Sequence, residues 1–210
     1  MWEKSRSESW SQLWRRIAAH WKLFLYLTVL MMMMNFSSHG TQDMYPTFLQ
    51  RQWGFDPRRR SMIAAISMVG AVCGGTLVGL LSDRIGRRRA LILSLLCAMV
   101  MIPLWAYAPS VPLLIAGAFL IQFFVQGAWG VVPAHLTELS PDDIRGFLPG
   151  FAYQCGVLLA GSVATIEAVM AARFTYASAM AITAAVVFAG AAVATALGHE
   201  KKGIQFGGSI

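Results

Sequence analysis

Apolar positions fill this chain in long unbroken blocks, not in the one-sided stripes of a soluble helix bundle. Residues 61–82, 90–137, 146–166 and 174–198 contain no Lys, Arg, Asp or Glu. Each block reaches the roughly 20 residues that a helix needs to cross a bilayer. The second is too long for one span, and Pro109-Ser110-Val111-Pro112 divides it, because proline disfavours helix in the residue before it. A further apolar run follows Lys22. The pattern predicts six transmembrane helices at about 22–50, 61–82, 90–108, 111–133, 144–172 and 174–197. Residues 1–21 read as a cytoplasmic or interfacial linker and 198–210 as a short basic tail. Trp2, Trp10, Trp14 and Trp21 among Lys4, Arg6, Arg15 and Arg16 suit the headgroup region before a first span. A cleaved signal peptide is not expected, since no clean small-x-small site follows and five more spans come after.

Composition agrees. The 210 residues are 57% hydrophobic and 13% charged, against about 25% charged in soluble domains. This excludes an ordinary soluble enzyme. The net charge of +7 sits at the ends of the spans and does not line a solvated face, so no nucleic-acid partner is implied. With both termini cytoplasmic, twelve basic residues fall inside: Lys4, Arg6, Arg15, Arg16, Lys22, Arg84, Arg87, Arg88, Arg89, Arg145, Lys201 and Lys202. Five fall outside: Arg51, Arg58, Arg59, Arg60 and Arg173. That bias predicts a multi-pass protein of the cell membrane, bathed in lipid, with its termini inside. Cys73, Cys97 and Cys155 lie within apolar runs, and their spacing implies neither disulfide nor zinc site. Gly70, Gly74, Gly75 and Gly79 form small-xxx-small pairs that let helices approach closely. No nucleophile triad, metal cluster or phosphate loop is visible, so neither enzyme chemistry nor a cofactor is expected.

Between the second and third spans stands Gly79-Leu-Leu-Ser-Asp83-Arg84-Ile-Gly86-Arg87-Arg88-Arg89. A tight turn with positive-inside arginines explains the arginines but not the aspartate and the spaced glycines. The segment resembles the cytoplasmic loop signature of the major facilitator superfamily, G-x-x-x-D-R/K-x-G-R-R/K, at every fixed position. Gly79 then allows close packing, Gly86 a tight turn, and Asp83 accepts charge-assisted hydrogen bonds among cations. After the fourth span, Glu138, Pro141 and Arg145 are similar to the family's glutamate, proline and arginine. The resemblance implies a charge relay of Asp83, Glu138 and Arg145 holding one state of a cytoplasmic gate. Asp142 and Asp143 also read as first-turn acids of the next helix.

The first span turns polar in its second half: Asn35-Phe-Ser-Ser38-His39-Gly-Thr41-Gln42-Asp43-Met-Tyr-Pro46-Thr47. Steps of four put Asn35, His39 and Asp43 on one helical face. Ionisable residues at membrane depth face a bundle interior or an aqueous cavity and mark an ion or substrate path. Asp43 also reads as a residue at the outer water interface. A metal site would need a third ligand beyond His39 and Asp43, and His20, His135 and His199 lie elsewhere in the chain. The segment resembles the N-x-x-S/T-H-x-S/T-Q-D-x-x-x-T motif of lactate and pyruvate permeases in the sialate:proton symporter branch. Asn35, Ser38, His39, Thr41, Gln42, Asp43 and Thr47 occupy its fixed positions. In that branch the motif lies in the seventh helix, and its Asn, His and Asp are implicated in substrate and proton handling. Tyr153-Gln154-Cys-Gly156 resembles the branch's eleventh helix, which carries a functional glutamine, mapped here to Gln154; three residues on, Val157 replaces an asparagine. Glu167 reads either as a partner of Arg173 or as a minor proton site.

The resemblance implies an all-α membrane fold, one six-helix half of a major facilitator transporter built as an inverted 3+3 repeat. The order of motifs implies the C-terminal half, with the leader as the end of a central linker. The implied activity is proton-coupled symport of a small monocarboxylate such as lactate, completed by an N-terminal six-helix half or a second copy. No arginine lies at a helix centre, so the anion's main cation is expected in the other half. A facilitator of a neutral solute such as a sugar, or a non-transporting assembly partner, are the alternatives.

Overall fold

The computed structural model describes residues 10–200; Trp2, Lys4, Arg6, Lys201 and Lys202 lie outside the described residues. Among these the chain forms nine helices: α1 (Trp10–Ala19), α2 (Trp21–Gln42), α3 (Tyr45–Arg51), α4 (Pro57–Ile85), α5 (Arg87–Ala106), α6 (Val111–Leu139), α7 (Leu148–Ala160), α8 (Val163–Ala171) and α9 (Tyr176–Leu197). The pairs α2–α3 and α7–α8 each act as one span. Six spans are therefore long and apolar enough to cross a membrane. Helices satisfy their own backbone groups, which is what lipid demands.

The ends of the helices correct several sequence expectations. The first span reaches Arg51, as the sequence predicts, but is interrupted at Asp43–Met44 between α2 and α3. Pro46 lacks an N–H, and its ring would clash with the Gln42 carbonyl if the helix continued. The second span starts earlier, at Pro57, because Asp56 caps it: Oδ1 accepts from Arg59 N at 2.8 Å. Arg58–Arg60 thus belong to a helix start. The fourth span continues past Pro133 to Leu139, which puts His135 and Glu138 on a helix instead of in a loop. The fifth begins at Leu148, after turns at residues 142–147, and breaks at Gly161–Ser162. Gly86, with φ +99, makes the turn between α4 and α5.

The packing has a twofold pattern. α6 packs on α4 and on α5, α2 packs on α7 and on α9, and α5 packs on α9. Exchanging α2 with α6, α4 with α7–α8, and α5 with α9 returns the same set of neighbours. Three spans per unit means that the second unit crosses in the opposite sense, so the repeat is inverted. Tyr45 stacks on Trp105 at 5.5 Å between ring centroids and fastens α3 to α5. Outward-facing positions are as apolar as the core: Val72, Val100 and Leu158 are all largely exposed. A surface of this kind needs lipid around it.

Candidate functional site

The last two turns of α2 meet α6 through a ladder of neutral polar groups. Thr41 Oγ1 donates back to the Ser37 carbonyl at 2.9 Å and accepts from Gln122 Nε2 at 3.0 Å. Gln42 Nε2 donates to Ser38 Oγ at 3.1 Å and to Gln122 Oε1 at 3.3 Å. Gln126 Nε2 reaches the same Ser38 Oγ at 3.1 Å. Gln122 and Gln126, one turn apart on α6, were not among the sequence candidates. They lie in a charge-free block, and only their spacing of four could have flagged them. Trp129, on the same face of α6, holds its indole N–H buried without a hydrogen-bond partner among the described residues. A cavity of about 210 Å³ adjoins the ladder, with Thr41, Gln42, Tyr45, Ser67, Trp105 and Gln122 in its wall.

His39 and Asp43 lie one turn apart at the end of α2, with Nδ1 3.2 Å from Oδ2. Their side chains are 47% and 38% exposed, so the pair opens away from the core. Asn35 is different: it is buried, and its amide donates to the Met31 carbonyl at 2.8 Å. Each step of four turns the helix by about 40° beyond a full circle, so the predicted common face winds from buried at Asn35 to open at Asp43. Thr47 falls beyond the helix break, half-buried in α3. Gln154 is exposed on α7 and makes no side-chain hydrogen bond among the described residues. Its neighbour Tyr153 stands edge-on to Trp129, 6.0 Å between centroids. Glu167 is fully buried, and neither of its oxygens has a partner among the described residues. Arg173 is exposed, so the expected Glu167–Arg173 pair is not formed.

A second polar group gathers at the opposite, arginine-rich end. Arg87 NH1 lies 2.6 Å from Asp83 Oδ1, and Arg87 Nε donates to Glu138 Oε1 at 3.2 Å. Arg87 also donates to Ser82 Oγ at 2.6 Å. The cation that joins Asp83 to Glu138 is therefore Arg87, where the family pattern implied Arg145. Position explains this: Arg87 opens α5 next to both acids, while Arg145 lies in the turn after α6, pairs with Asp142, and donates to the carbonyls of Thr137 and Ser140 at 3.2 Å. Gly79 brings α4 close to α6: a β-carbon there would lie 3.3 Å from the Gly130 carbonyl. Past α9, Glu200 accepts from the backbone N–H of Arg87 at 2.9 Å and of Arg88 at 3.2 Å, an acid on the positive end of α5. Arg88 in turn donates to the Ala196 carbonyl. Arg84 borders the cleft that Glu200 and Arg88 also line. Glu200 could not be found from local spacing, since its partners lie more than a hundred residues away.

Comparison with known proteins gives a consistent picture. Residues 56–199 match the family described as "Sugar (and other) transporter". The "Carboxylic acid transporter protein homolog" of Saccharomyces cerevisiae is 34% identical over 204 residues, covering 89% of this chain and 32% of the relative. A "Probable 4-methylmuconolactone transporter" of Cupriavidus pinatubonensis is 34% identical over 148 residues, 69% of this chain and 34% of that protein. The "D-xylose transporter" of Levilactobacillus brevis is 30% identical over 116 residues, 54% of this chain and 25% of that one. The chain spans about a third of the length of these relatives or less.

Proposed function

The chain belongs to the sugar (and other) transporter family of the major facilitator superfamily, and from that premise we propose that it is the C-terminal half of a proton-coupled symporter for a small monocarboxylate. It is a transporter of multi-pass membrane type and not an enzyme. The observation that carries the finer reading is the His39–Asp43 pair set at the open end of the Ser38–Thr41–Gln42 ladder. A carboxylate cargo needs convergent donors. This half offers His39, the amides of Gln42, Gln122 and Gln126, and the free indole N–H of Trp129. A proton carried by His39 places a positive charge beside the anion, with Asp43 Oδ2 3.2 Å from its Nδ1. Proton and cargo then each strengthen the other's binding, by reciprocal linkage. The missing full positive charge comes from an N-terminal half that closes the open side. Similarity to a carboxylic acid transporter homolog over most of the chain supports this reading, as does the resemblance of the Asn35–Thr47 segment to the lactate-permease motif. The arginine-rich end faces the cytoplasm of the cell membrane by the positive-inside bias. There Asp83, Arg87, Glu138 and Glu200 latch α4, α5, α6 and the tail in one conformation.

A second reading has its own support. The three glutamines of the ladder suit sugar hydroxyls, and sugar transporters are among the relatives. The cargo taken up decides between the two, and His39 tests the coupling. In the transporter completed by its other half, His39→Ala abolishes proton-driven accumulation of lactate and flattens the pH dependence of its affinity. Full accumulation by His39→Ala with an unchanged profile would move the coupling site away from His39, whereas glucose uptake without lactate uptake by the unaltered transporter would favour the neutral-solute reading.

A further inference from the structure

Glu167 has no role in the ladder or in the gate, yet it is the most completely enclosed acid among the described residues. It lies where α8 meets α2 and α9. The contact with α2 is made at Gly40, the residue between His39 and Thr41 in the polar stripe. A β-carbon on Gly40 would sit 3.6 Å from Glu167 Oε1, 3.5 Å from a Val163 methyl and 3.6 Å from the Thr183 methyl. Gly40 thus provides a notch in which the carboxyl rests directly behind the stripe. The titratable groups nearby are His39 on α2 and Asp43 at the break that follows it. α9 has no charged residue, Tyr176 being its only titratable group. Its Thr183 hydroxyl faces Met170 Sδ at 3.8 Å, leaving the carboxyl without a donor. Arg173, in the turn after α8, is exposed.

A carboxylate enclosed in this way would have neither counter-ion nor donor. Burying an unpaired ion costs far more than burying the neutral acid. The enclosed form is therefore the protonated acid. Helix breaks stand on both sides of the contact, at Gly161–Ser162 before α8 and at Asp43–Met44 after α2. α8 can tilt away from Gly40 without breaking the hydrogen bonds inside either span. We propose that Glu167 is an intramembrane proton-binding carboxyl: it takes a proton from water in one position of α8 and encloses it against Gly40 in the position seen here. The carboxylate accepts a proton from hydronium, releases water, and returns the proton by the reverse step. The proposal rests on the transport reading only for what this proton drives; proton binding belongs to this chain.

The test uses the full chain in lipid vesicles and two carbodiimides. Membrane-soluble dicyclohexylcarbodiimide adds to a protonated carboxyl in an apolar setting to leave an acylurea, located by peptide mass spectrometry. Glu167 should be modified, with a yield that falls several-fold as the pH is raised and recovers when it is lowered again. A water-soluble carbodiimide should modify Asp43 and spare Glu167. Glu167→Gln should lose the label while keeping the wild-type unfolding midpoint. If that variant does not fold, the pH series on the wild type decides alone. No modification of Glu167 at any pH, or a yield independent of pH, would overturn the proposal, the latter marking a static buried acid. A reversible label without proton-driven uptake would remove the transport reading and leave the proton-binding carboxyl in place.

Discussion

The α4–α6 and α2–α7 interfaces occupy equivalent places in the two three-span units, but they are built differently. Along α4–α6 the backbones nearly touch over several turns. A β-carbon on Gly70 would lie 2.4 Å from the Phe119 carbonyl oxygen, on Gly74 1.8 Å from that of Phe123, and on Gly130 2.1 Å from that of Gly75. Both helices run unbroken for 29 residues. On the α2–α7 seam Gly156 makes the one close glycine approach among the described residues, where a β-carbon would lie 2.7 Å from Met31. Each of its helices ends in a break, at Asp43–Met44 and at Gly161–Ser162. A glycine seam fixes two helices by contact along their length. The α2–α7 seam has one such close glycine approach, and both of its helices stop at a break. Asp83, Arg87 and Glu138 lie at one end of the α4–α6 seam, while His39, Asp43 and Glu167 lie beside the helix breaks of the other unit.

The sharpest way to break this contrast is to add one methyl to each seam. Gly74→Ala should destabilise the chain by about 3 kcal/mol, at the upper end of the cost of overpacking, in denaturant unfolding of the lipid-reconstituted protein. Gly156→Ala should cost about 1 kcal/mol, because its overlap is smaller and α7 ends one turn later. Equal costs would mean that the seams are mechanically alike.

Next in size is the latch on the fixed seam. Arg87→Ala leaves Glu138, whose side chain is only 8% exposed, without its cation. Losing one partner of a buried pair costs about 3 kcal/mol at full burial, and the partly exposed Arg87 puts the expectation nearer 2. Adding Glu138→Gln should recover much of that loss. A double variant no better than the single one would show that Arg87 acts through Asp83 alone. The smallest effect belongs to the ladder. Gln122→Ala removes bonds to Thr41 and Gln42, at about 0.6 kcal/mol each in a membrane setting. Stability should fall by only about 1 kcal/mol, whereas cargo affinity in the completed transporter should fall severalfold.

Much of this fold was legible from apolar block lengths, since lipid leaves the backbone few alternatives to a helix. The helix ends were not. Pro46 separates two helices and Pro133 lies inside one, and the difference is made by neighbours: α6 is clamped between α4 and α5 along its length. The α2 stripe was legible because ionisable groups in an apolar run stand out. Gln122 and Gln126 did not stand out, because neutral amides leave no mark on charge or hydropathy. Arg87, Arg88 and Glu200 meet only in three dimensions. The sequence named Arg87 and Arg88 as members of a motif, but not Arg87 as the bridge to Glu138 or Glu200 as the acid closing the turn.

The central claim is that this chain handles a carboxylate and a proton together once its open side is closed. The most direct measurement is uptake of labelled lactate into vesicles under an inward proton gradient, with the chain alone and with a complementary six-helix half. The account predicts no accumulation by the chain alone, and accumulation by the pair that a protonophore collapses and excess glucose leaves unchanged. Protonophore-insensitive uptake inhibited by glucose would contradict it.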